Sequence, residues 1–237
     1  MSIAFNSAPY PLDSDDPKQV FPDVELATIE PNGLLAIGGD LSSTRLLNAY
    51  RHGIFPWFDD NHPILWWCPN PRTVLIPSQL KVSRSLRKTI NNKGFEIRFD
   101  HSFADVINAC SKARQFNEDT WIDQRIKDAY TDLHDQGYAH SAEAWLDGRL
   151  VGGLYGVAIG KVFYGESMFY RERDASKVAF VSLVSKLQDW GFELIDCQMT
   201  TSHLLSLGAN EISRQAFTQQ LNQLCDQSTS EQAWSAV

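Results

Sequence analysis

The sequences VFYGESMF (residues 162–169) and FELIDCQ (residues 192–198) are two strand-like runs, and each carries an acid, Glu166 or Asp196. Residues 175–190, between them, have the apolar spacing of a helix. A helix that connects two strands allows them to lie side by side in one sheet. We therefore expect Glu166 and Asp196 on neighbouring strands, where two carboxylates are costly unless they are paired or used.

The sequence around this unit predicts an antiparallel meander followed by alternating helices and strands. Two turn signals, Asp147-Gly148 and Gly160-Lys161, separate three strands at residues 140–146, 149–159 and 162–169. The other predicted elements are a strand at 95–99 and helices at 103–112, 122–136 and 214–224. This order predicts an α+β domain over residues 95–237 with a mixed, largely antiparallel sheet.

Residues 1–94 are expected to form a smaller N-terminal domain. Residues 1–31 are rich in proline and acids and are expected to be an extended arm. Residues 54–58 are predicted to be a packed loop, because proline interrupts the apolar run. Residues 63–77 are predicted to be an extended, aromatic segment, and residues 82–91 a helix capped by Ser83.

Composition limits the class of protein. The 237 residues are 43% hydrophobic, which is enough for a globular core. No run approaches the ~18 uncharged apolar residues of a membrane helix, and the N-terminus lacks a signal pattern, so we expect a cytoplasmic protein. The four cysteines are scattered without metal-ligand spacing, so neither a metal site nor a disulfide is predicted.

One segment departs from the acidic balance of the chain, whose formal net charge is −8. Between residues 81 and 98 there are six basic residues and a single acid, Glu96. On a helix, Lys81, Arg84 and Lys88 fall near one face, with Arg87 beside them. Such a face can bind phosphates, although a charged helix face is usually only solvated.

Five runs, in order along the chain, resemble the leucyl/phenylalanyl-tRNA–protein transferase family. They are EPNGLLAIGGDL at 30–41, YRHGIFPWF at 50–58, GESMF at 165–169, ASK at 175–177 and IDCQ at 195–198. The resemblance extends over roughly residues 25–220. It implies an enzyme that transfers leucine or phenylalanine, and less readily methionine, from charged tRNA to the N-terminal arginine or lysine of a protein.

The resemblance also implies that the product is marked for N-end-rule degradation and that the C-terminal domain is similar to the acetyltransferase (GNAT-like) fold. It implies no metal, ATP or other cofactor, because the aminoacyl ester is already activated. The expected partners are aminoacyl-tRNA and proteins with N-terminal arginine or lysine, with no membrane, and the protein is expected to be a monomer.

The reaction requires orientation of an amine, help with one proton and stabilisation of a developing oxyanion. Asp196 is a candidate to accept the proton or to hold a group that does so, and Gln198 lies on the same strand face. Glu166 is a candidate to bind the cationic acceptor. Structural alternatives are that Asp196 caps the turn at residues 200–207 and that Glu166 pairs with Arg171, Arg173 or Lys177.

Recognition of leucine and phenylalanine requires an apolar pocket. The candidates are Met168, Phe169, Phe180, Leu183, Val184 and Ile195, although most such residues serve packing. For the tRNA end, Trp57 and Trp121 are candidates to stack on the terminal adenine, and Tyr50 and Tyr130 to donate hydrogen bonds. Lys81, Arg84, Arg87 and Lys88 are candidates to bind the acceptor stem.

Two other functions remain open from the sequence. The first is an acyl-CoA-dependent N-acyltransferase of the same fold, but residues 170–175 lack the glycine-rich loop that binds a pyrophosphate. The second is a noncatalytic module that binds tRNA or peptide. Such a module would bind charged tRNA without forming a peptide bond.

Overall fold

The computed structural model describes residues 9–59, 62–113 and 122–235. The first of its helices and strands are β1 (Tyr10–Leu12), β2 (Leu34–Gly38), α1 (Ser43–Arg51), β3 (Phe55–Pro56), β4 (Leu65–Trp67), β5 (Arg72–Leu75) and α2 (Arg84–Asn92). The predicted cap of α2 is confirmed, because the Ser83 hydroxyl accepts a hydrogen bond from the Leu86 N–H at 3.2 Å.

The later elements follow the predicted order closely. They are β6 (Glu96–Phe99), α3 (Phe103–Ala113), α4 (Gln124–Asp135), β7 (Ala139–Leu146), β8 (Arg149–Ile159), β9 (Val162–Tyr170), α5 (Ala175–Asp189), β10 (Leu194–Gln198), α6 (Ser202–Ser206), β11 (Asn210–Ile212) and α7 (Arg214–Leu224). The meander β7-β8-β9 is confirmed, with antiparallel pairing throughout. No helix within the described ranges has the length and apolar character needed to cross a bilayer.

The strands of the described residues form two sheets. The smaller has the order β1-β2-β4-β3, and the larger has the order β11-β5-β10-β9-β8-β7-β6. Within the larger sheet β9 and β10 are parallel. The other neighbouring strands of that sheet are antiparallel. The predicted α+β class with a mixed, largely antiparallel sheet is confirmed.

One prediction for the N-terminal part was wrong. Residues 54–58 are not only a loop, because Phe55 and Pro56 form the strand β3 beside β4. Proline is tolerated there because β3 is at the edge of the smaller sheet. The extended conformation predicted within residues 63–77 is confirmed by the strands β4 and β5, which belong to different sheets. The division of the chain at residue 94 stays a prediction, and β5, which precedes it, lies inside the larger sheet.

Helices cover both faces of the larger sheet and so fix the position of its central strands. α5 packs on β7 and β8 from one side, and α3 packs on β8 and β9 from the other. Gly152 in β8 permits the start of α5 to approach closely, since a Cβ at Gly152 would lie 2.5 Å from the Cβ of Ala175. The beginning of α5 is thereby held beside the end of β9, next to the residues described below.

Candidate active site

Glu166 and Gln198 meet just beyond the last paired residues of the parallel strands β9 and β10, Tyr164 and Asp196. The predicted adjacency of these strands is confirmed, with Asp196 in register with Tyr164. β8 and β9 shift register beside Glu166, and β10 and β5 shift register beside Gln198. Gln198 also has a left-handed backbone, with φ of 59°. These irregularities bring the two side chains together, and the Gln198 amide Nε2 donates a hydrogen bond to Glu166 Oε1 at 2.9 Å.

Two buried tyrosines enclose the Glu166 carboxyl. The Tyr50 hydroxyl donates to Oε1 at 2.8 Å and the Tyr130 hydroxyl donates to Oε2 at 3.1 Å. The two hydroxyls also contact each other. Glu166 therefore does not form the alternative ion pair with Arg171, Arg173 or Lys177. The tyrosine hydroxyls point at Glu166, not at an open surface where they could reach a substrate directly.

The electrostatics of this cluster bring the titration of Glu166 close to neutral pH. Burial raises the pKa of Glu166 from 4.5 to about 7, opposed by the hydrogen bonds from Tyr50 and Tyr130 and assisted by the charge of Asp196. Burial together with the Glu166 charge also holds the pKa of both tyrosines well above the usual value of 10.0, so both hydroxyls remain donors. A carboxyl with a pKa near 7 is suited to exchange a proton at neutral pH.

Asp196 is a fully buried ion pair with Arg72. Arg72 Nε donates to Oδ1 at 2.8 Å and Nη2 donates to Oδ2 at 2.6 Å. The backbone N–H of Gln198 also donates to Oδ1, at 2.9 Å. The alternative that Asp196 caps the helix α6 is wrong, because the Thr201 side chain holds that position. Asp196 instead holds the backbone of Gln198 next to Glu166.

Arg72 was missed by sequence reasoning. Its guanidinium is buried between two rings, 4.8 Å from the centroid of Phe55 and 4.7 Å from that of Phe217. The one signal in the sequence is that an arginine begins the strand-like run RTVL. An arginine that is buried with such a strand requires a partner for its charge. The partner itself is 124 positions away in the chain.

A cavity of about 500 Å³ opens beside Glu166 and Gln198. It is mainly apolar, and three of the predicted pocket residues line it: Met168, Phe180 and Ile195. We call it the acyl cavity. Residues that line it and were not predicted include Phe55, Leu154, Met199, His203 and Leu204. Trp57, which is 45% exposed, lies at its rim.

Other predicted pocket residues lie outside the lining of the acyl cavity. Phe169 is buried in the core on the side of α3 and α4, because neighbouring residues of a strand face opposite sides and Met168 faces the cavity. Leu183 and Val184 are buried in the core beneath α5, further along that helix than Phe180. Trp121 lies outside the described residues.

The predicted basic face is only partly assembled into one surface. Lys81 and Lys88 line a second cavity of about 660 Å³, together with Lys93, Arg173 and Lys177. We call this cavity the basic groove. Arg84 and Arg87 are exposed on α2 but lie outside its lining. Among the described residues, no three histidine, cysteine or carboxylate side chains converge in a way that could hold a metal ion.

Comparison with solved structures gives distant likenesses. FemX is 10% identical with a TM-score of 0.49, covering 75% of this chain and 70% of FemX. A GCN5-related N-acetyltransferase-like protein from Streptococcus suis is 13% identical with a TM-score of 0.36, covering 69% of this chain and 61% of that one.

Sequence comparison gives much closer relatives. A leucyl/phenylalanyl-tRNA–protein transferase from Nitrosospira multiformis is 56% identical over 215 residues, which are 91% of this chain and 93% of that protein. One from Thiobacillus denitrificans is 60% identical over 204 residues, which are 86% and 90% of the two chains.

The models of one family match this chain in two consecutive parts. The model of the leucyl/phenylalanyl-tRNA–protein transferase N-terminal domain matches residues 39–70, and the model named leucyl/phenylalanyl-tRNA–protein transferase matches residues 74–222. The second match contains Glu166, Asp196 and Gln198, and the first contains Tyr50, which reaches Glu166. On this evidence the chain belongs to the leucyl/phenylalanyl-tRNA–protein transferase family of enzymes.

Proposed function

We propose that this protein transfers leucine or phenylalanine, and less readily methionine, from charged tRNA to the N-terminal arginine or lysine of acceptor proteins. The transfer would mark them for N-end-rule degradation in the cytoplasm, with the enzyme acting as a monomer. The observation that carries the proposal is the apolar acyl cavity, which ends at the hydrogen-bonded pair Glu166 and Gln198. An apolar side chain can enter such a cavity while its ester carbonyl stays beside the polar pair.

The reaction joins an amine to an ester. The acceptor α-ammonium loses a proton, and the neutral amine then attacks the ester carbonyl to form the N–C bond. As the ester C–O bond breaks, the ribose oxygen takes the second proton that the nitrogen loses, and the peptide bond is formed. Glu166 can contribute to two steps of this reaction. Its carboxylate attracts the cationic N-terminal residue, and its pKa of about 7 allows it to take a proton from the ammonium near neutral pH.

We propose that Asp196 positions Gln198 and does not take the proton itself. Both of its carboxylate oxygens accept hydrogen bonds from Arg72, and one also accepts from the Gln198 backbone. Accepting a proton would break this buried ion pair. Gln198, fixed in this way, can use its amide to orient Glu166 and the reacting groups.

The tRNA end is proposed to lie across the mouth of the acyl cavity. Trp57 at the rim is exposed enough to stack on the terminal adenine, and Trp121 is its proposed partner. Lys81, Arg84, Arg87 and Lys88 are proposed to bind the phosphates of the acceptor stem.

The proposal is tested by incubating the purified protein with radiolabelled Leu-tRNA and a peptide that begins with arginine, without CoA or ATP. Label should enter this peptide but not a matched peptide that begins with alanine. Transfer from acetyl-CoA, with none from Leu-tRNA, would instead indicate an N-acyltransferase. Binding of Leu-tRNA without any peptide bond formation would indicate a noncatalytic binding module.

The shape of the acyl cavity should set the preference between donors. Phe180→Leu removes a ring from its lining, so we expect the ratio of kcat/KM for Phe-tRNA to that for Leu-tRNA to rise about 10-fold. Leu183→Val, three residues further along α5 and outside the lining, should leave this ratio unchanged. An unchanged ratio in Phe180→Leu would show that the donor side chain does not contact Phe180.

A further inference from the structure

An exposed carboxylate, Glu211, lies two strands away from Gln198 in the larger sheet. β11 pairs with β5 so that Glu211 is opposite Thr73, and β5 pairs with β10 so that Thr73 is opposite Gln198. Side chains that are directly opposite in antiparallel strands point to the same face of a sheet. The three residues therefore form one row, and strands about 4.8 Å apart put Glu211 about 10 Å from Gln198.

Two hydroxyls hold the Glu211 carboxylate at the rim of the acyl cavity. The Thr200 hydroxyl donates to Glu211 Oε1, and the hydroxyl oxygens of Thr73 and Thr200 are 2.6 Å apart. Because Thr200 has a single hydroxyl proton and gives it to Glu211, Thr73 is the donor in the second bond. Thr200 lies between Met199 and Thr201, which both line the acyl cavity. The carboxylate is therefore fixed just outside this cavity.

The charge of Glu211 is available to a ligand. None of the ion pairs in the described part of the chain includes Glu211. Asp196, by contrast, is neutralised by Arg72. Both oxygens of Glu166 already accept hydrogen bonds from tyrosines, whereas Thr200 occupies only one oxygen of Glu211. The other oxygen can accept from a cation.

The proposed acceptor brings two positive charges to this site, its α-ammonium group and the side chain of its first residue. Glu166 can pair with one of them, and its pKa of about 7 leaves it partly protonated at neutral pH. Asp196 has no charge to spare, because Arg72 holds it. A cation that is placed beside the row without a carboxylate of its own would lose hydration and gain little in return. The second charge therefore points to a further carboxylate.

We propose that Glu211 binds the side-chain cation of the acceptor's N-terminal arginine or lysine, while Glu166 and Gln198 hold its α-amine. The lengths agree with this division. The same number of bonds separates Cα from Cζ in arginine and Cα from Nζ in lysine, so either cation reaches about 6 Å from its Cα. The side chain of Glu211 spans about 4 Å more, which together covers the distance to Gln198. This inference rests on the proposed function, which supplies the acceptor.

Acceptor peptides that differ only in the first side chain test this assignment. They begin with arginine, with lysine, or with citrulline, which has the shape of arginine but no charge, and all three keep the α-amine. In Glu211→Gln, the KM for the arginine and lysine peptides should rise about 10-fold, the effect of losing one charged hydrogen bond. The KM for the citrulline peptide, the KM for Phe-tRNA and all kcat values should stay unchanged.

Glutamine at position 211 can still accept the hydrogen bond from Thr200, so this variant removes the charge and keeps the row intact. A purely structural role of Glu211 therefore predicts an unchanged KM for the arginine peptide, which would overturn the proposal. An equal rise of KM for the citrulline peptide would show that the variant disturbs the whole peptide site, and would also overturn it.

The matched control is Glu193→Gln, the same substitution at an exposed carboxylate immediately before β10, at the opposite end of that strand from Gln198. Each variant removes one negative charge from the chain. Glu193→Gln should change none of the constants above. If it raises the KM for the arginine peptide as much as Glu211→Gln does, the effect is one of overall charge, and Glu211 is not a subsite.

Direct binding distinguishes failure of this proposal from failure of the proposed function. Calorimetric titration without tRNA should show that the wild type binds the arginine peptide about 10-fold more tightly than the citrulline peptide, and that Glu211→Gln binds both equally. This result in a protein that transfers no amino acid would refute the proposed function alone. Transfer from Leu-tRNA with a preference for arginine over citrulline that Glu211→Gln leaves unchanged would refute the role of Glu211 alone.

Discussion

Replacing Arg72 by methionine should lower the free energy of unfolding by about 3–5 kcal/mol. The reason is that the Asp196 carboxyl, at a position with no exposed surface, would lose its cationic partner and two of its hydrogen bonds. Methionine also removes the cation that lies between the rings of Phe55 and Phe217. Equilibrium denaturation with urea, monitored by tryptophan fluorescence, measures this change.

Two further variants show whether the buried charge is the cause. Adding Asp196→Leu to Arg72→Met should recover most of the lost stability, because neither charge then remains buried. Arg51→Met breaks an exposed ion pair with Asp226 and should cost less than about 1 kcal/mol. A single Arg72→Met variant as stable as Arg51→Met would contradict the assignment of Arg72 and Asp196 as the buried ion pair of the site.

The second large effect is expected for Glu166→Gln, which should lower kcat/KM for an arginine peptide about 100-fold or more at pH 7.5. The glutamine amide can accept the hydrogen bond of Tyr50 with its oxygen and donate from its NH2 group to the Tyr130 hydroxyl oxygen, but it carries no charge for the cationic acceptor and takes no proton. Steady-state assays over a range of peptide concentrations measure the loss. An unchanged KM for the peptide would show that Glu166 does not bind the acceptor.

The pH dependence of the free energy of unfolding provides an independent check on the raised pKa of Glu166. Because folding raises the pKa of its carboxyl from 4.5 to about 7, its contribution to stability is fully present below pH 4.5 and is lost as the pH rises through 7. Glutamine does not titrate. Relative to wild type, Glu166→Gln should therefore gain up to about 3 kcal/mol of stability between pH 4.5 and pH 8.

The control for this titration is Glu193→Gln, at an exposed carboxyl paired with Lys161. Its difference in stability from wild type should change by less than about 1 kcal/mol over the same pH range. If the difference for Glu166→Gln is also constant with pH, then Glu166 is not the buried titrating group of the site.

Local sequence patterns were sufficient to predict most of the secondary structure. The meander β7-β8-β9 follows from period-two runs separated by Asp147-Gly148 and Gly160-Lys161, and both signals act over a few residues. The placement of Glu166 and Asp196 on neighbouring strands could be predicted for a similar reason, since only α5 separates β9 from β10 in the chain. β3 was missed, and the partner strands of β5 were not predicted, because both pairings are set by the packing of the whole chain.

The pocket residues were predicted less well than the strands. Phe180 and Leu183 belong to one apolar helix, yet only Phe180 lines the acyl cavity. Likewise Met168 lines the cavity, whereas Phe169 is buried on the other side of the sheet. An apolar residue has the same sequence signature in a core as in a pocket, because both bury it from water.

The sequence by itself determined the α+β class, the order of the later elements and the placement of Glu166 and Asp196 on the neighbouring strands β9 and β10. Only the tertiary structure decided what each polar group of that site does. Asp196 is bound by Arg72, which is 124 positions away, and Glu166 is bound by Tyr50, 116 positions away. The physical reason is that hydrophobic patterning fixes local elements, whereas the partner of a buried charge depends on which distant side chain the fold brings within hydrogen-bond reach.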